Sequence, residues 1–248
     1  MIKVFKPLRS TIFRMLFKLQ TILLKYNIVL CFSLHMMTRK RNLLFNENVD
    51  SKGFLFDYFR ISTLELTAME IKRRKGEGSC AELGVYKGIF ASKINEYFPD
   101  KTLYLLDTFE GFDANDLSND KNKGYVKSDF GFSDTSIKIV TDKMPYPEKC
   151  KIVKGYFPES AKNIDDKFSF VSIDADLYNP TYEGLKYFYL RLSVGGAIFI
   201  HDYYNDERFR GVKEAVDKFC EENQLFFFPV SDSGGSVVII KNQLPVYN

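Results

Sequence analysis

The sequence predicts an α/β chain: a mostly parallel sheet covered by helices on both faces, closed by an antiparallel terminal strand and preceded by helical segments. Three observations carry this. From Gly78 to residue 223, short apolar runs alternate with stretches of helical period, the pattern of parallel strands linked by crossover helices. The last two apolar runs, 225–230 and 236–241, are separated only by Ser231-Asp232-Ser233-Gly234-Gly235; a link that short forces antiparallel pairing. Several runs end abruptly in acids, as strands do where they leave a core for a ligand-binding rim.

The 248 residues are 45% hydrophobic and 27% charged, which suits one large domain with a small appendage. The net charge of +3 is unevenly spread: residues 1–45 hold nine Lys or Arg and no acid, leaving 26 basic against 32 acidic residues elsewhere. Basic character confined to one terminal segment argues against a nucleic-acid enzyme, which places such surface around its site. Cys31, Cys80, Cys150 and Cys220 are far apart with no CxxC pair, so neither structural zinc nor a disulfide framework is expected, and the compartment reads as reducing, hence cytoplasmic. Cys80 and Cys220 fall in predicted core elements and read as small hydrophobes.

Two domains are expected, a helical segment and linker over 1–53 and the α/β domain over 54–248. In the first, Ile12, Leu16, Leu19, Leu23, Tyr26 and Leu30 recur at three- and four-residue steps with Arg14, Lys18 and Lys25 on another face. This is a basic amphipathic helix. It suits either peripheral contact with a membrane surface or packing on the catalytic domain or a second subunit in a homo-oligomer. Lys18, Gln20, Lys25 and Asn27 interrupt it too often for a membrane span, and no small-residue cleavage site follows. His35 stands alone there and reads as structural, and the polar stretch 42–53 is the linker.

The elements then follow in order. A helix over 61–75 ends in Lys72-Arg73-Arg74-Lys75-Gly76, cations and then glycine at a C-terminus. A strand over 79–83, a turn over 84–88, a helix over 89–98 and a strand over 102–106 come next. Residues 111–131, polar and glycine-containing, read as an insertion or a mobile loop that would cover the site. A helix over 134–144, a strand over 150–153, a short helix over 158–163, a strand over 168–173 and a helix over 181–192 follow. Gly195-Gly196 is a tight turn before the strand 197–200, and a helix over 209–223 precedes the final pair of strands.

Two clusters of candidate site residues emerge. Glu82, Gly84 and Gly88 flank the first strand's exit in a G-x-x-x-G pattern, not the G-x-G-x-x-G of dinucleotide binders. An acid there repels pyrophosphate but suits an ammonium and a sulfonium, and Asp107, ending the second strand, offers two acceptors to a ribose diol. Together they favour S-adenosylmethionine over NAD; the plainer reading is a tight turn at Gly84 and Gly88 and a helix cap at Asp107. Asp174, Asp176, His201 and Asp202 end two strands expected to be neighbours, and carboxylates there call for a cation or hydrogen-bond donors. Asp174 and Asp176, two apart, would share a side of a regular strand. Arg60 and Thr63 would reach the methionine carboxylate of the cofactor, or stay at the surface. Phe109, Phe157 and Tyr178 would wall the adenine or acceptor, or pack the core.

The chain resembles a known family. Ala81-Glu82-Leu83-Gly84-Val85-Tyr86-Lys87-Gly88, Leu106-Asp107-Thr108-Phe109-Glu110-Gly111-Phe112, Lys154-Gly155-Tyr156-Phe157-Pro158-Glu159-Ser160, Ile173-Asp174-Ala175-Asp176-Leu177-Tyr178 and His201-Asp202-Tyr203 occur in order. The set is similar to the macrocin, mycinamicin and novobiocin-pathway sugar O-methyltransferases, over about residues 54–241. The resemblance implies a Rossmann-like class I methyltransferase sheet and methylation of a sugar hydroxyl on a small-molecule or glycan acceptor, using S-adenosylmethionine and a divalent ion, usually magnesium, with manganese as the alternative. It implies Asp174 as metal ligand, Asp176 as general base, and a second ligand pair that is Asp-Asp in the family and His201-Asp202 here. Imidazole suits zinc, iron or manganese better than magnesium, and His201 either ligates or turns away to hydrogen-bond. Two other functions compete: a non-catalytic nucleoside binder with a degraded metal site, and an NAD-dependent enzyme.

Overall fold

A computed structural model describes residues 58–127 and 131–242, together with Leu19. The chain divides into two compact units, Met1–Val49 and Asp50–Asn248. The amphipathic segment, the 42–53 linker, His35 and Cys31 lie outside the described residues, and everything below concerns the second unit. Among the described residues no helix is long and apolar enough to cross a membrane.

The elements run α1 (Tyr58–Arg73), β1 (Ser79–Leu83), α2 (Ile89–Tyr97), β2 (Leu103–Asp107), α3 (Ala114–Asn122), α4 (Ile137–Thr141), β3 (Cys150–Lys154), β4 (Phe168–Ile173), α5 (Tyr178–Arg191), β5 (Leu192–Ile200), α6 (Asp206–Asn223), β6 (Phe228–Pro229) and β7 (Val237–Ile240). The seven strands form one sheet in the order β3-β2-β1-β4-β5-β7-β6. β1 to β5 are parallel, β7 runs antiparallel to β5, and β6 antiparallel to β7. The order reverses between β1 and β4, so their loops leave the rim in opposite directions and open a crevice there.

The large phenylalanine content fills the middle layer. Phe168, Phe170, Phe188 and Phe199 are fully buried, with Phe170 meeting Phe199 edge-on at 4.9 Å and Phe168 meeting Phe188 at 5.1 Å. These contacts seat β4, the central strand, whose six residues are all buried. Cys80 and Cys220 are buried and unpaired.

Four local expectations need correction. Residues 111–131 contain the helix α3: the Asp113 carboxylate accepts from the backbone N–H of Asn115 and Asp116 and starts it. The helix expected over 134–144 shrinks to Ile137–Thr141 behind the Ser136 cap, because Asp134 is drawn off by Tyr86 and Lys87 and the Thr135 hydroxyl by the Tyr86 carbonyl. Gly195-Gly196 does not precede β5 but lies inside it, at an irregularity in its register with β4. The strand expected over 225–230 pairs only at Phe228 and Pro229: Pro229 has no N–H to give, and Phe226 is almost wholly exposed.

Candidate active site

The ladder hydrogen bonds run one residue past the strands and line up the first residues of three loops. Gly84 N–H donates to the Leu106 carbonyl, Asp174 N–H to Leu83, and His201 N–H to Ile173, all at 2.8–2.9 Å. Gly84, Asp174 and His201 therefore stand side by side on the rim. Gly84 has φ +83, and a Cβ there would lie 2.0 Å from the Asp174 carbonyl oxygen. Only glycine lets the two loops touch.

The chain then doubles back. Asp176 and Asp202 both adopt left-handed backbone, φ 62 and 59. β4 ends at Ile173, so Asp174 and Asp176 converge through a tight turn, not through the side-sharing of a regular strand. Ligand atoms of Asp174, His201 and Asp202 lie within 4.8 Å of one another. Asp202 is buried and takes the Asn205 amide at 2.9 Å. Burial, then the neighbouring Asp174 and Asp202, push the Asp176 carboxyl well above the usual range. Burial also works against a charge on Asp174, but His201 and Arg60 outweigh it and hold its pKa below the ordinary value. Burial and two neighbouring carboxyls disfavour a charge on Asp176, and three acids here face the guanidinium of Arg60 and one imidazole, a surplus of acidic groups. That surplus, with two carboxylates and an imidazole as donors, fits a divalent cation.

Arg60 does not sit at the surface but borders the cavity from within the fold. It is buried, donates to Asp174 at 2.9 Å and to the Ser172 hydroxyl at 3.1 Å, and stacks 3.8 Å over the Phe90 ring. Thr63, three residues on, donates its hydroxyl to the Phe59 carbonyl at 2.7 Å and does not line the cavity.

A cavity of about 540 Å³ opens between the β1 and β4 loops, bordered by Glu82, Gly84, Asp107, Asp176 and His201. Glu82 is 1% exposed, and its Oε2 has no hydrogen-bond partner. Burial pushes its carboxyl well above the usual range against the pull of Arg60. An orphaned buried acceptor beside a cavity fits a ligand that brings a cationic donor. Asp107 is more occupied: Oδ2 accepts from Val85 and Tyr86 N–H at 2.7 and 2.8 Å, and Oδ1 from Phe109 N–H at 2.7 Å. It pins both loops; the Thr108 hydroxyl lies 3.5 Å from Oδ1 but donates more closely to the Gly111 carbonyl at 2.6 Å, which makes Oδ1 the oxygen better placed to take a ligand hydroxyl. Gly88 is also left-handed, φ 74, at the start of α2. Phe157 borders the cavity, whereas Phe109 and Tyr178 do not.

Sequence reasoning missed two groups. Asp116 and Tyr156 also border the cavity; the Tyr156 hydroxyl donates to Asp116 at 3.0 Å and accepts from Asn179 at 2.9 Å. The signal was available, since Asp113 ahead of Ala114 is a helix start. The second group is Asp232 and Ser236, behind His201, in a stretch read only as a link between strands.

The model of the macrocin-O-methyltransferase (TylF) family matches residues 56–231. No curated protein sequence is matched. Among solved structures, the O-methyltransferase NovP is 18% identical with a TM-score of 0.58, over 74% of this chain and 80% of that one. CalS11, a calicheamicin methyltransferase, is 17% identical with a TM-score of 0.56, over 85% and 94%. These two likenesses show the fold, with its seven-stranded mixed sheet.

Proposed function

This chain belongs to the macrocin-O-methyltransferase family and is an O-methyltransferase, and from that premise we propose that it methylates a sugar hydroxyl of a glycoside, polysaccharide precursor or natural product, using S-adenosylmethionine at a site that takes a divalent cation. The observation that carries the reading is the meeting of Asp174, His201 and Asp202 within 4.8 Å, beside a cavity bordered by Glu82 and Gly84.

Each residue has a task in this reading. Glu82 meets the ammonium of the cofactor, Asp107 offers Oδ1 to its ribose, and Gly84 and Gly88 let it approach the backbone. When bound, the cofactor supplies an electrophilic methyl on sulfur. Asp174, His201 and Asp202 would hold the cation, which supplies charge stabilisation for an alkoxide and a template for neighbouring hydroxyls. Arg60 holds Asp174 in place. Beside a cation held by Asp174, His201 and Asp202, the ionised form of Asp176 is favoured, and the Asp176 carboxylate then accepts the acceptor hydroxyl's proton. Much of the rate would come from holding oxygen, methyl carbon and sulfur in line.

The test is transfer of labelled methyl from S-adenosylmethionine to a panel of glycosides. Chelator and Asp174→Ala should abolish transfer, and Asp176→Asn should lower kcat by roughly 10²–10⁴-fold with cofactor affinity retained. Transfer that survives both chelator and Asp174→Ala removes the cation from the reading.

A further inference from the structure

The imidazole at the end of β5 is held from behind by a polar chain. His201 Nδ1 lies 3.0 Å from Ser236 Oγ, and Ser236 Oγ donates to Asp232 Oδ2 at 2.5 Å. The other Asp232 oxygen accepts the Ser236 backbone N–H at 2.7 Å. The Asp232 side chain is fully buried, 0% exposed.

The direction of these bonds fixes the tautomer. A hydroxyl has one proton, and a carboxylate only accepts. The Ser236 proton is committed to Asp232, so the contact with His201 is a hydrogen bond only if Nδ1 carries hydrogen. The lone pair of the neutral ring is then on Nε2, the nitrogen left for the cluster with Asp174 and Asp202. Metal-binding imidazoles are commonly set this way, the far N–H held by a carboxylate or a group bonded to one. The ring is also wedged: a Cβ on Gly234 would lie 2.3 Å from His201 Cε1 and 2.5 Å from Asp202 Oδ1. Tyr204 N–H closes the same turn on the Gly235 carbonyl at 3.1 Å.

A nitrogen donor in place of a third carboxylate changes the ion that fits. Imidazole suits iron and zinc, and oxygen donors suit magnesium and manganese; of the last two, manganese is the transition-metal ion and the one that takes a mixed set of imidazole and carboxylates more readily. We propose that Asp232 and Ser236 are positioning residues that fix His201 as the Nδ1–H tautomer with Nε2 as a metal ligand, so that the site takes a transition-metal ion such as manganese in preference to magnesium. This rests on Asp174, His201 and Asp202 being a cation site at all.

The full chain serves for the test, by two measurements. The first needs no metal: ¹⁵N–¹H correlation of the histidine side chains, where His35 is the only other histidine and His201→Gln assigns the signals. His201 should show the Nδ1–H pattern in the wild type and in Ser236→Thr, and lose it in Ser236→Ala. The second is titration with manganese chloride and magnesium chloride by calorimetry, with pulsed electron paramagnetic resonance on the manganese form. Manganese should bind at least tenfold more tightly than magnesium and show coupling to one imidazole nitrogen. Ser236→Ala should weaken manganese roughly 10–100-fold, Asp232→Asn should weaken it in the same direction, and His201→Asp should shift preference toward magnesium. An Nε2–H tautomer in the wild type, or bound manganese with no nitrogen coupling, overturns the proposal and leaves the cation site standing. Failure of the wild type to bind either ion overturns the cation site itself. Both decisive readings come from the wild type and do not depend on a variant folding.

Discussion

Arg60 and Glu82 show how single side chains set the state of the site before any ligand arrives. Arg60 is a counter-ion built into the scaffold, 3% exposed against 23% for Asp174. Replacing it by Met keeps an unbranched apolar stem but removes the guanidinium from both Asp174 and the Phe90 ring. Breaking a fully buried pair costs about 3–5 kcal/mol; with Asp174 partly open to water, about 2 kcal/mol is expected, a fall in Tm of roughly 4–8 °C. A divalent cation should then raise the Tm of Arg60→Met more than that of the wild type, because it replaces the missing charge. Equal shifts in a melting experiment would show that Arg60 and the cation do not share Asp174. Glu82 allows a test of proton linkage. Its pKa is raised by burial, so the free protein holds this proton to higher pH than an ordinary carboxyl would. An ammonium arriving beside it favours the ionised form and lowers that pKa. Cofactor binding should therefore release a proton between the two pKa values, and affinity should rise with pH through that window. Calorimetry in buffers of different ionisation heat measures the release, which Glu82→Gln should remove. A binding heat independent of buffer would separate Glu82 from the ammonium.

At the scale of elements, legibility followed burial. β1, β2 and β4 were readable because strands buried on both faces must be short, continuous apolar runs, and all six residues of β4 are buried. The acids at their ends were readable for the same reason: a charge abutting such a run marks its exit from the core. What could not be read was structure fixed by side chains reaching across the fold. Asp134 is taken by the β1 loop, and Asp232 faces Ser236 and His201; neither pairing leaves a trace in spacing. The C-terminus of α1 lies between these cases. Cations followed by glycine announce it, yet the left-handed residue is Lys75, φ 55, with Gly76 N–H reaching back to the Ile71 carbonyl at 2.8 Å. α3 is the element whose role is now open to test. Asp113 caps it, and it presents Asp116 to the cavity and Asp120 to the N–H of Tyr178 at 2.8 Å. Asp113→Ala should cost about 1 kcal/mol of stability and loosen that wall. Since Glu82 and Gly84 are on other elements, KM for the acceptor should rise severalfold while cofactor affinity holds. Equal losses in both would mean that α3 also forms the cofactor pocket.

For the molecule as a whole, the decisive feature is that the loop proposed to cradle the cofactor and the loop proposed to hold the cation share backbone. Gly84 belongs to the first and Asp174 to the second, and they are packed so closely that a single added methyl would overlap the Asp174 carbonyl. Asp174 N–H is also bonded to the Leu83 carbonyl, one residue before Gly84. A ligand that orders either loop therefore orders part of the other, and the ordering cost is met by whichever ligand binds first. The two affinities should rise together, and by the same factor whichever is measured. Each ligand alone at a hundredfold its Kd contributes about 2.7 kcal/mol, or roughly 5–10 °C in Tm for a unit of this size. Melting curves with S-adenosylhomocysteine, with manganese and with both should show a joint shift larger than the sum. Calorimetry should find S-adenosylhomocysteine binding about fivefold or more tighter in saturating manganese, the lower end of ordinary coupling energies. Gly84→Ala is the control, since it forces the loops apart. It should destabilise the free protein by at least about 1–3 kcal/mol for the left-handed backbone alone, lowering its Tm, and bring the joint shift down to the sum. Strict additivity in the wild type would mean that the rim acts as two independent sites, despite the contact between its loops.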